Sequence, residues 1–580
     1  MTEKTILKFS EEDTGIEVES FTEDEVKDLG QVITNSDSNI FAWKLGKNLT
    51  SEQIGALLSR YSRTTLTGKK LFLKEFLPNK ERGREFFEAW LVDYGDDSIQ
   101  EMSGGLPMSC EFVSNLAVKE IEDSRMGSYI EKSSRYVFFD KKLPDGEYMF
   151  YKDPDIMKSR FADEYVSLMH GLFDSYVNST KAMVQYIKDK NPFDEQTFRI
   201  GDCAVKASEL TEEMADRFNT SVEDLQKSYE NAVKANALDF MRDYLPMATL
   251  THVGVSMNAR SYDSMINKMG ASPLAESRWI AKCMFNELEK VAPSLIKRVN
   301  EKHGMEFRKF ISEKNVGISE CVREIGVKNP PRAGIEAVDL VDFTGKGDAN
   351  TETRAQIALV GIILFKFGEG HSLAQGMEMA GGMKEEQRKE IISRYVGNRQ
   401  NRRHKPGRIF ENVEYLLGLS GRIGIYRDIQ RHRIGTQERQ DFTVKLGYDI
   451  RKEFDDIGIA DDYKSKMEGV KEMYGKLHEK LPYQAQYVVT YGFYTRWYYR
   501  LNARQLFHLC ELRSTPGGHP DYRKMMQEVY YKVREVHPTI ASHMKFMDLS
   551  DKKLGRLESE IRIAMKKKTL TLKPYISNPA

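Results

Sequence analysis

The chain has 580 residues, with 87 Lys plus Arg against 87 Asp plus Glu and a formal net charge of zero. Its length calls for more than one folding unit, and balanced charge argues against a protein built to coat nucleic acid. With 40% apolar and 11% aromatic residues it is too rich in core formers for a disordered chain, and it lacks the run of about 18 apolar residues that a membrane-spanning helix needs.

Residues 1–39 are acidic and weakly patterned, and read as a mobile tail or an added strand. Their opening, MTEKTILKFSEEDTGIEVES, lacks the apolar stretch of a secretory signal, so a cytoplasmic protein is expected. Cys110, Cys203, Cys283, Cys321 and Cys510 are far apart and form no CxxC pair. That predicts buried, inert thiols in a reducing compartment and neither zinc nor disulfides.

The first distinctive stretch is an arginine-rich turn, DSRMGSYIEKSSRY, at residues 123–136. Its continuation EKSSRYVFF alternates and is rich in aromatic residues, which predicts a strand from about residue 131. Ser133 and Arg135 would then share a face. A short donor beside a bidentate one suits a phosphate monoester or a carbonyl; a surface strand with an incidental arginine is the plainer reading. Phe161, Tyr165, Leu168, Leu172, Phe173 and Tyr176, at spacings of three and four, predict a helix. A polar, acidic segment at 188–230 follows, then Leu245-Pro246, then Asn258-Ala259-Arg260 opening a helical pattern that runs to Pro293. KNPPRAG, 328–334, cannot continue a helix and marks a boundary.

The second half passes the same landmarks. GEGHSLAQGMEMAGG, 368–382, lacks the Lys-Ser/Thr of a phosphate loop and reads as turns between helices. NVEYLLGLSGRIGIYRDIQRHRIG leads into a second arginine-rich turn, RHRIGTQERQDFTV, at 431–444. On a continuous helix Arg431 and Arg433 would point about 200° apart. They converge only if the helix unwinds, with Gly435 supplying a positive φ just past its end. Two guanidinium groups and an imidazole suit a diphosphate, or a flavin or pyrimidine edge; a solvated basic helix end complementing its dipole is the plainer reading. Leu481-Pro482 and Asn502-Ala503-Arg504 then repeat the earlier order. His519 and His537 have no metal-ligand spacing, and the basic end MKKKTLTLKP reads as a solvated tail.

Aligning Arg125 with Arg433 also brings Asp96 over His404. This predicts a tandem duplication, 40–327 and 333–580, with a helical insertion at about 140–235 in the first copy. The copies differ in a complementary way. Asp441 and Thr443 stand where the first copy has Ser133 and Arg135, and Asp123 and Ser124 stand where the second has Arg431 and His432.

Together these residues resemble the flavin-dependent thymidylate synthases. That family carries R-H-R-x-x-S-x-N-E-x-S-x-R-Y, with a Tyr-Gly-His element upstream. Downstream come an Arg-x-x-Leu-Pro element, an Asn-Ala-Arg helix and a Leu-Arg pair. The likeness covers most of residues 60–300 and 335–545. It implies an α/β (α+β) fold of two tandem domains, each a mostly antiparallel sheet with long helices. It implies that Arg431, His432 and Arg433 lie against FAD, with Asn502, Arg504 and His508 on the Asn-Ala-Arg helix. Arg513 matches the Leu-Arg arginine, which would hold the nucleotide and act in catalysis with His404, the match to the Tyr-Gly-His histidine; the first copy keeps Tyr94-Gly95 but has Asp96 there. Ser128, Glu131, Ser133, Arg135 and Arg242 match the family's nucleotide-binding positions. No protein thiol acts in the family, so Cys510 takes no nucleophilic role.

The implied reaction is methylation of deoxyuridine monophosphate at C5. Methylenetetrahydrofolate gives the carbon, and FAD is reduced by NADPH. Family sites form where subunits of a homotetramer meet, so this tandem chain would form a homodimer that mimics one. Its composite sites would take a flavin clamp from the second copy and a nucleotide clamp from the first. One departure stands out: Asp428 in the second copy and Glu120 in the first occupy the position of a family glutamine. An ionised carboxylate cannot donate to a uracil carbonyl but can accept from an exocyclic amine. A different pyrimidine nucleotide therefore stays open, as does a local slip in which Gln430 serves. A nucleotide-binding paralogue without catalysis is the alternative from another class. Neither a membrane nor a nucleic-acid partner is expected.

Overall fold

A computed structural model describes residues 3–78, 101–102, 104–200, 203–216, 220–328, 336–552 and 554–562. Tyr94, Gly95 and Asp96, nearly all of KNPPRAG, and MKKKTLTLKP lie outside the described residues. The chain forms two compact units. One comprises Met1–Ala333, Thr443–Phe493 and Glu560–Ala580; the other comprises Gly334–Phe442 and Tyr494–Ser559.

In the first unit, β1 (Glu3–Leu7) and β2 (Ile16–Phe21) pair as an antiparallel hairpin, so the acidic N-terminal segment includes two strands. Strands β3 (Ile40–Ala42), β4 (Leu106–Ser114), β5 (Gly127–Glu131) and, beyond a hairpin of β6 (Thr197–Ile200) and β7 (Cys203–Lys206), β8 (Leu250–Met257) follow in sequence. They form an antiparallel sheet in the order β3-β4-β8-β5. Helix α1 (Asn115–Ile121) leaves β4 directly, and Ser114 caps it by accepting from Ala117 N. The period-two alternation of a strand sends successive residues to opposite faces, and here both faces are apolar. Met108, Cys110, Val253 and Val255 pack in one core with Met265, Ile266, Ile280 and Met284. Phe41, Trp43 and Ile130 belong to another with Leu57, Leu58 and Tyr61.

The stretch expected as an insertion carries α2 (Ala162–Lys190), 29 residues long. It buries Tyr165, Leu172, Phe173 and Tyr176, as their spacing predicts. Two further helices, α3 (Ala259–Gly270) and α4 (Ala275–Val291), follow β8.

In the second unit, β9 (Val338–Phe343), β10 (Glu414–Arg422), β11 (Thr436–Arg439) and β12 (Tyr494–Asn502) form an antiparallel sheet in the order β9-β10-β12-β11. That is the order of the first sheet. Helix α5 (Glu385–Val396) precedes β10, α6 (Ile423–Ile429) leaves it, and α7 (Ala503–Arg513) leaves β12. β4 and β10 have nine residues each, and α1 and α6 seven each. The duplication is thus present in sheet order, strand length and corner position. The repeated Asn-Ala-Arg also has a local cause, since Asn258 and Asn502 are both N-caps, accepting from Ser261 N and Gln505 N. The sheets differ in where their pairing is interrupted, since β9–β10 shifts register between Leu416 and Leu417 while β3–β4 does not. β4 carries a bulge between Cys110 and Val113, where Phe112 sits at φ 52 and its N–H donates to His252 Nδ1 at 3.1 Å. β10 pairs with β12 without interruption.

Four expectations are corrected. The predicted strand from residue 131 instead ends there: Tyr136 N and Val137 N donate to Ser133 O and close a turn. The aromatic residues that suggested a strand pack elsewhere, Phe138 lying 5.2 Å from the Tyr176 ring on α2. Gly435 does not have a positive φ. Glycine is needed because a Cβ would meet the Tyr499 ring and lie 2.8 Å from Arg500 O. Part of the glycine-rich stretch at 368–382 is a helix, Leu373–Gly382, capped by Ser372. Cys110 and Cys510 are buried, but Cys283 is only partly so and Cys321 is exposed. Among the described residues, no helix is long and apolar enough to cross a membrane.

Candidate functional site

The second unit brings His432, His508 and Arg513 together, with Arg433 near enough to act on His432 by charge. Helix α6 ends at Ile429, so Arg431, His432 and Arg433 lie on unwound chain beyond it. Tyr499 on β12 pins this turn, its hydroxyl donating to His432 O at 2.6 Å. Gln437 Nε2 donates to Gln430 O at 2.8 Å and reinforces it. The first unit repairs its own turn in the same manner, with Tyr129 OH donating to Ser124 O at 3.0 Å.

Helix α7 supplies the other wall. Arg513 Nε donates to His432 Nε2 at 2.8 Å, and the rings of His432 and His508 lie 5.4 Å apart. Arg513 also stands over Tyr522 at 5.6 Å and 3.8 Å from Asp428 Oδ1. A guanidinium group only donates, so His432 Nε2 must accept, and its proton resides on Nδ1. The environment agrees. Burial, and then the charges of Arg513, His508, Arg433 and Lys405, hold His432 well below the ordinary histidine value. His432 is therefore a neutral imidazole among cations.

Three other residues expected here have different neighbours. Asn502 is committed to the cap of α7, with Gln505 answering reciprocally. Arg504 donates to Pro406 O at 2.9 Å and lies 3.3 Å from Glu411 Oε1. His404 is exposed in the loop that follows α5; Gln400 N donates to its Nδ1 at 3.3 Å, and its Nε2 lies 3.1 Å from Asn401 Nδ2. Sequence reasoning missed Lys405, whose charge reaches His432. It sits in NRRHK, where nothing in the sequence tells which cation acts on His432.

In the first unit, Ser128 is half-buried on β5. Glu131 closes that strand beside the buried Lys119, at 3.6 Å. Ser133 and Arg135 do not share a strand face, because both lie in the turn, where Arg135 N donates to Ser133 Oγ at 3.3 Å. The Arg135 fork is engaged by Asp239, Nε to Oδ1 at 2.5 Å and Nη2 to Oδ2 at 2.7 Å. Arg242 is buried at the end of the helix Val222–Met241 that carries Asp239.

The site of the second unit fits a flavin dinucleotide by its donor set. Arg433, Arg513 and Lys405 act by charge on a neutral imidazole, and Asp428 Oδ1 lies 3.8 Å from Arg513. Such a grouping suits a diphosphate and the acceptor-rich edge of an isoalloxazine.

A duplicated antiparallel sheet with an Arg-His-Arg turn facing an Asn-Ala-Arg helix defines a class, and comparison with known proteins gives the family. The chain belongs to the family described as thymidylate synthase complementing protein, whose pattern matches residues 49–294 and 357–539. It is similar to UPF0159 proteins along nearly their whole length. That of Chlamydia pneumoniae is 34% identical over 94% of this chain and 98% of the relative, and that of Chlamydia muridarum 32% over 93% and 98%. A UPF0159 protein of Thermoplasma acidophilum is 31% identical over 88% and 98%. A solved structure, the UMP/dUMP methylase PolB from Streptomyces cacaoi bound with 5-Br dUMP, shares 18% identity over 39% of this chain and 97% of that one. Its TM-score of 0.29 is too low to carry an argument.

Proposed function

We propose that the protein is a flavin-dependent thymidylate synthase, methylating deoxyuridine monophosphate at C5 with methylenetetrahydrofolate, FAD and NADPH. The observation that carries this reading is the contact of His432 with Arg513 at 2.8 Å inside a group of cations, which joins the two motif elements of the second unit. When bound and reduced, FAD supplies the electrons that convert the transferred carbon to a methyl group. The chain's own residues bind and polarise. Arg431 and Arg433 offset the diphosphate charge. His432, uncharged, presents an Nδ1 proton without adding to the positive field. Arg513 offsets charge developing on the pyrimidine. On the nucleotide side, Ser128, Glu131, Ser133 and Arg242 carry the contacts, and Arg135, held by Asp239, fixes the turn that presents Ser133. A working site draws on both kinds of half-site, and a homodimer supplies them.

The test is flavin stoichiometry. The wild type should hold a single flavin per chain. Arg433→Ala should hold almost none, and Arg125→Ala, altering an exposed side chain, should hold as much as the wild type. Two flavins per chain, or loss from both variants, contradicts the reading. Asp428 supports a second reading, an acceptor with an exocyclic amine. Competition between dUMP and dCMP for the protein, repeated with Asp428→Asn, separates the two. A colourless protein that still binds nucleotide would instead indicate a paralogue without catalysis.

A further inference from the structure

Arg399 follows α5 after Gly397, whose φ of 70 turns the chain. Arg399 runs inward and is buried with Glu511, their side chains 2% and 0% exposed. Its donors are distributed over three segments. Nε donates to His404 O at 2.5 Å; Nη1 donates to Glu511 Oε1 at 2.8 Å and His543 O at 2.9 Å; Nη2 donates to Glu511 Oε2 at 2.5 Å. The guanidinium group stacks between Phe507 and Phe546, 5.1 Å from each ring centroid.

Glu511 lies seven residues after Arg504 on α7 and so on nearly the same helix face, while Arg513 points about 200° away from it. Along that face the loop after α5 is tied twice, by Arg504 to Pro406 O and by Arg399 to Glu511. Between the two ties sits Lys405, whose charge reaches His432. The ties therefore fix both the rotation of α7, which sets Arg513 against His432, and the approach of the basic loop. The first unit has Asn267 at the position of Glu511, and Asn267 donates back to Asp263 O on its own helix at 2.9 Å. Of the two positions, only the one on the Arg-His-Arg copy carries the tie. A buried ion pair contributes little net stability over an apolar pair of the same shape, so its value here is placement.

We infer that Arg399, through Glu511 and the His404 carbonyl, is a positioning residue for the cation cluster that binds flavin. The inference rests on the reading above. It is tested by FAD titration and thermal melting of the full-length protein, comparing wild type, Arg399→Lys, Arg399→Met and the double variant Arg399→Met/Glu511→Met. The double variant removes both charges, so it folds even where Arg399→Met, which strands Glu511, does not. It should melt near the wild type yet bind FAD about tenfold more weakly or worse, with an altered visible spectrum of the bound flavin. Arg399→Lys should recover part of the affinity. A folded double variant with wild-type affinity and spectrum overturns the inference and makes the pair merely structural. A wild type that binds no FAD overturns the functional reading itself, before any variant is compared.

Discussion

Ser114 and Arg422 occupy the same corner of their respective units, each the last residue of a nine-residue strand that runs into a seven-residue helix. In both units an acid from the second position of a later helix secures that corner. Ser114 N and Oγ donate to Glu276 at 2.7 and 2.6 Å, and Tyr487 OH adds a third bond at 2.9 Å. Arg422 Nη1 pairs with Asp521 Oδ2 at 2.6 Å. The turns beyond the helices diverge further. The first unit answers its buried cations with carboxylates at contact distance, Arg135 with Asp239 and Lys119 with Glu122. The second gathers cations about an imidazole, with the Asp428 carboxylate 3.8 Å from Arg513. One fold thus carries two electrostatic designs. The first sets its buried cations against carboxylates, and the second sets them about a neutral imidazole.

The largest expected effect on stability follows from that contrast. Arg135→Met removes the bidentate partner of Asp239, whose side chain is 3% exposed, and should cost about 3–5 kcal/mol in urea unfolding. Arg513→Met should cost far less stability and instead weaken nucleotide or flavin binding. Equal stability losses for the two variants would erase the distinction between the units.

Much of this architecture can be read in the sequence because it rests on landmarks that short-range physics enforces. The Asn-Ala-Arg repeat is visible because a helix N-terminus needs an acceptor such as Asn258 or Asn502 for its unpaired N–H groups. The helix of the insertion is visible because Tyr165, Leu172 and Tyr176 line one face. The Arg-His-Arg turn is legible because Arg431 and Arg433 cannot converge on an intact helix. What fails is decided by distant chain. Phe138 and Phe139 have strand chemistry but are claimed by Tyr176 of α2. The need for glycine at 435 comes from Tyr499, more than sixty positions on. The role of Arg399 depends on Glu511 and His543, and no local pattern separates Arg399 from Arg402 or Arg403 beside it.

The corner of the first unit should also leave a pH signature. Burial pushes the Glu276 carboxyl up to about 7, against the lowering effect of its bonds from Ser114 and Tyr487. Asp153 is raised in the same direction to about 6, again chiefly by burial. The folded state therefore holds these protons more tightly than the unfolded chain does. The associated stability is complete below the ordinary carboxyl range and is lost as pH rises to about 7. Melting temperature should fall across that window. Glu276→Gln, which cannot ionise, should flatten the Glu276 share of the slope, worth at most roughly 3 kcal/mol. An unchanged slope would place the titration elsewhere and leave the two corners electrostatically alike.

The smallest effect separates local from functional asymmetry. Asn258→Ala and Asn502→Ala each remove an N-cap and should each cost about 1 kcal/mol. Asn502 should cost slightly more, because Gln505 closes a capping box with it. If the cap is the whole role of Asn502, both variants leave FAD affinity close to the wild type and only thermal melting registers the change. If Asn502→Ala weakens FAD binding well beyond Asn258→Ala at equal stability loss, the side chain serves the ligand as well as the helix. The same short motif would then have kept its architectural task in both copies and acquired a chemical one only in the copy that carries Arg-His-Arg.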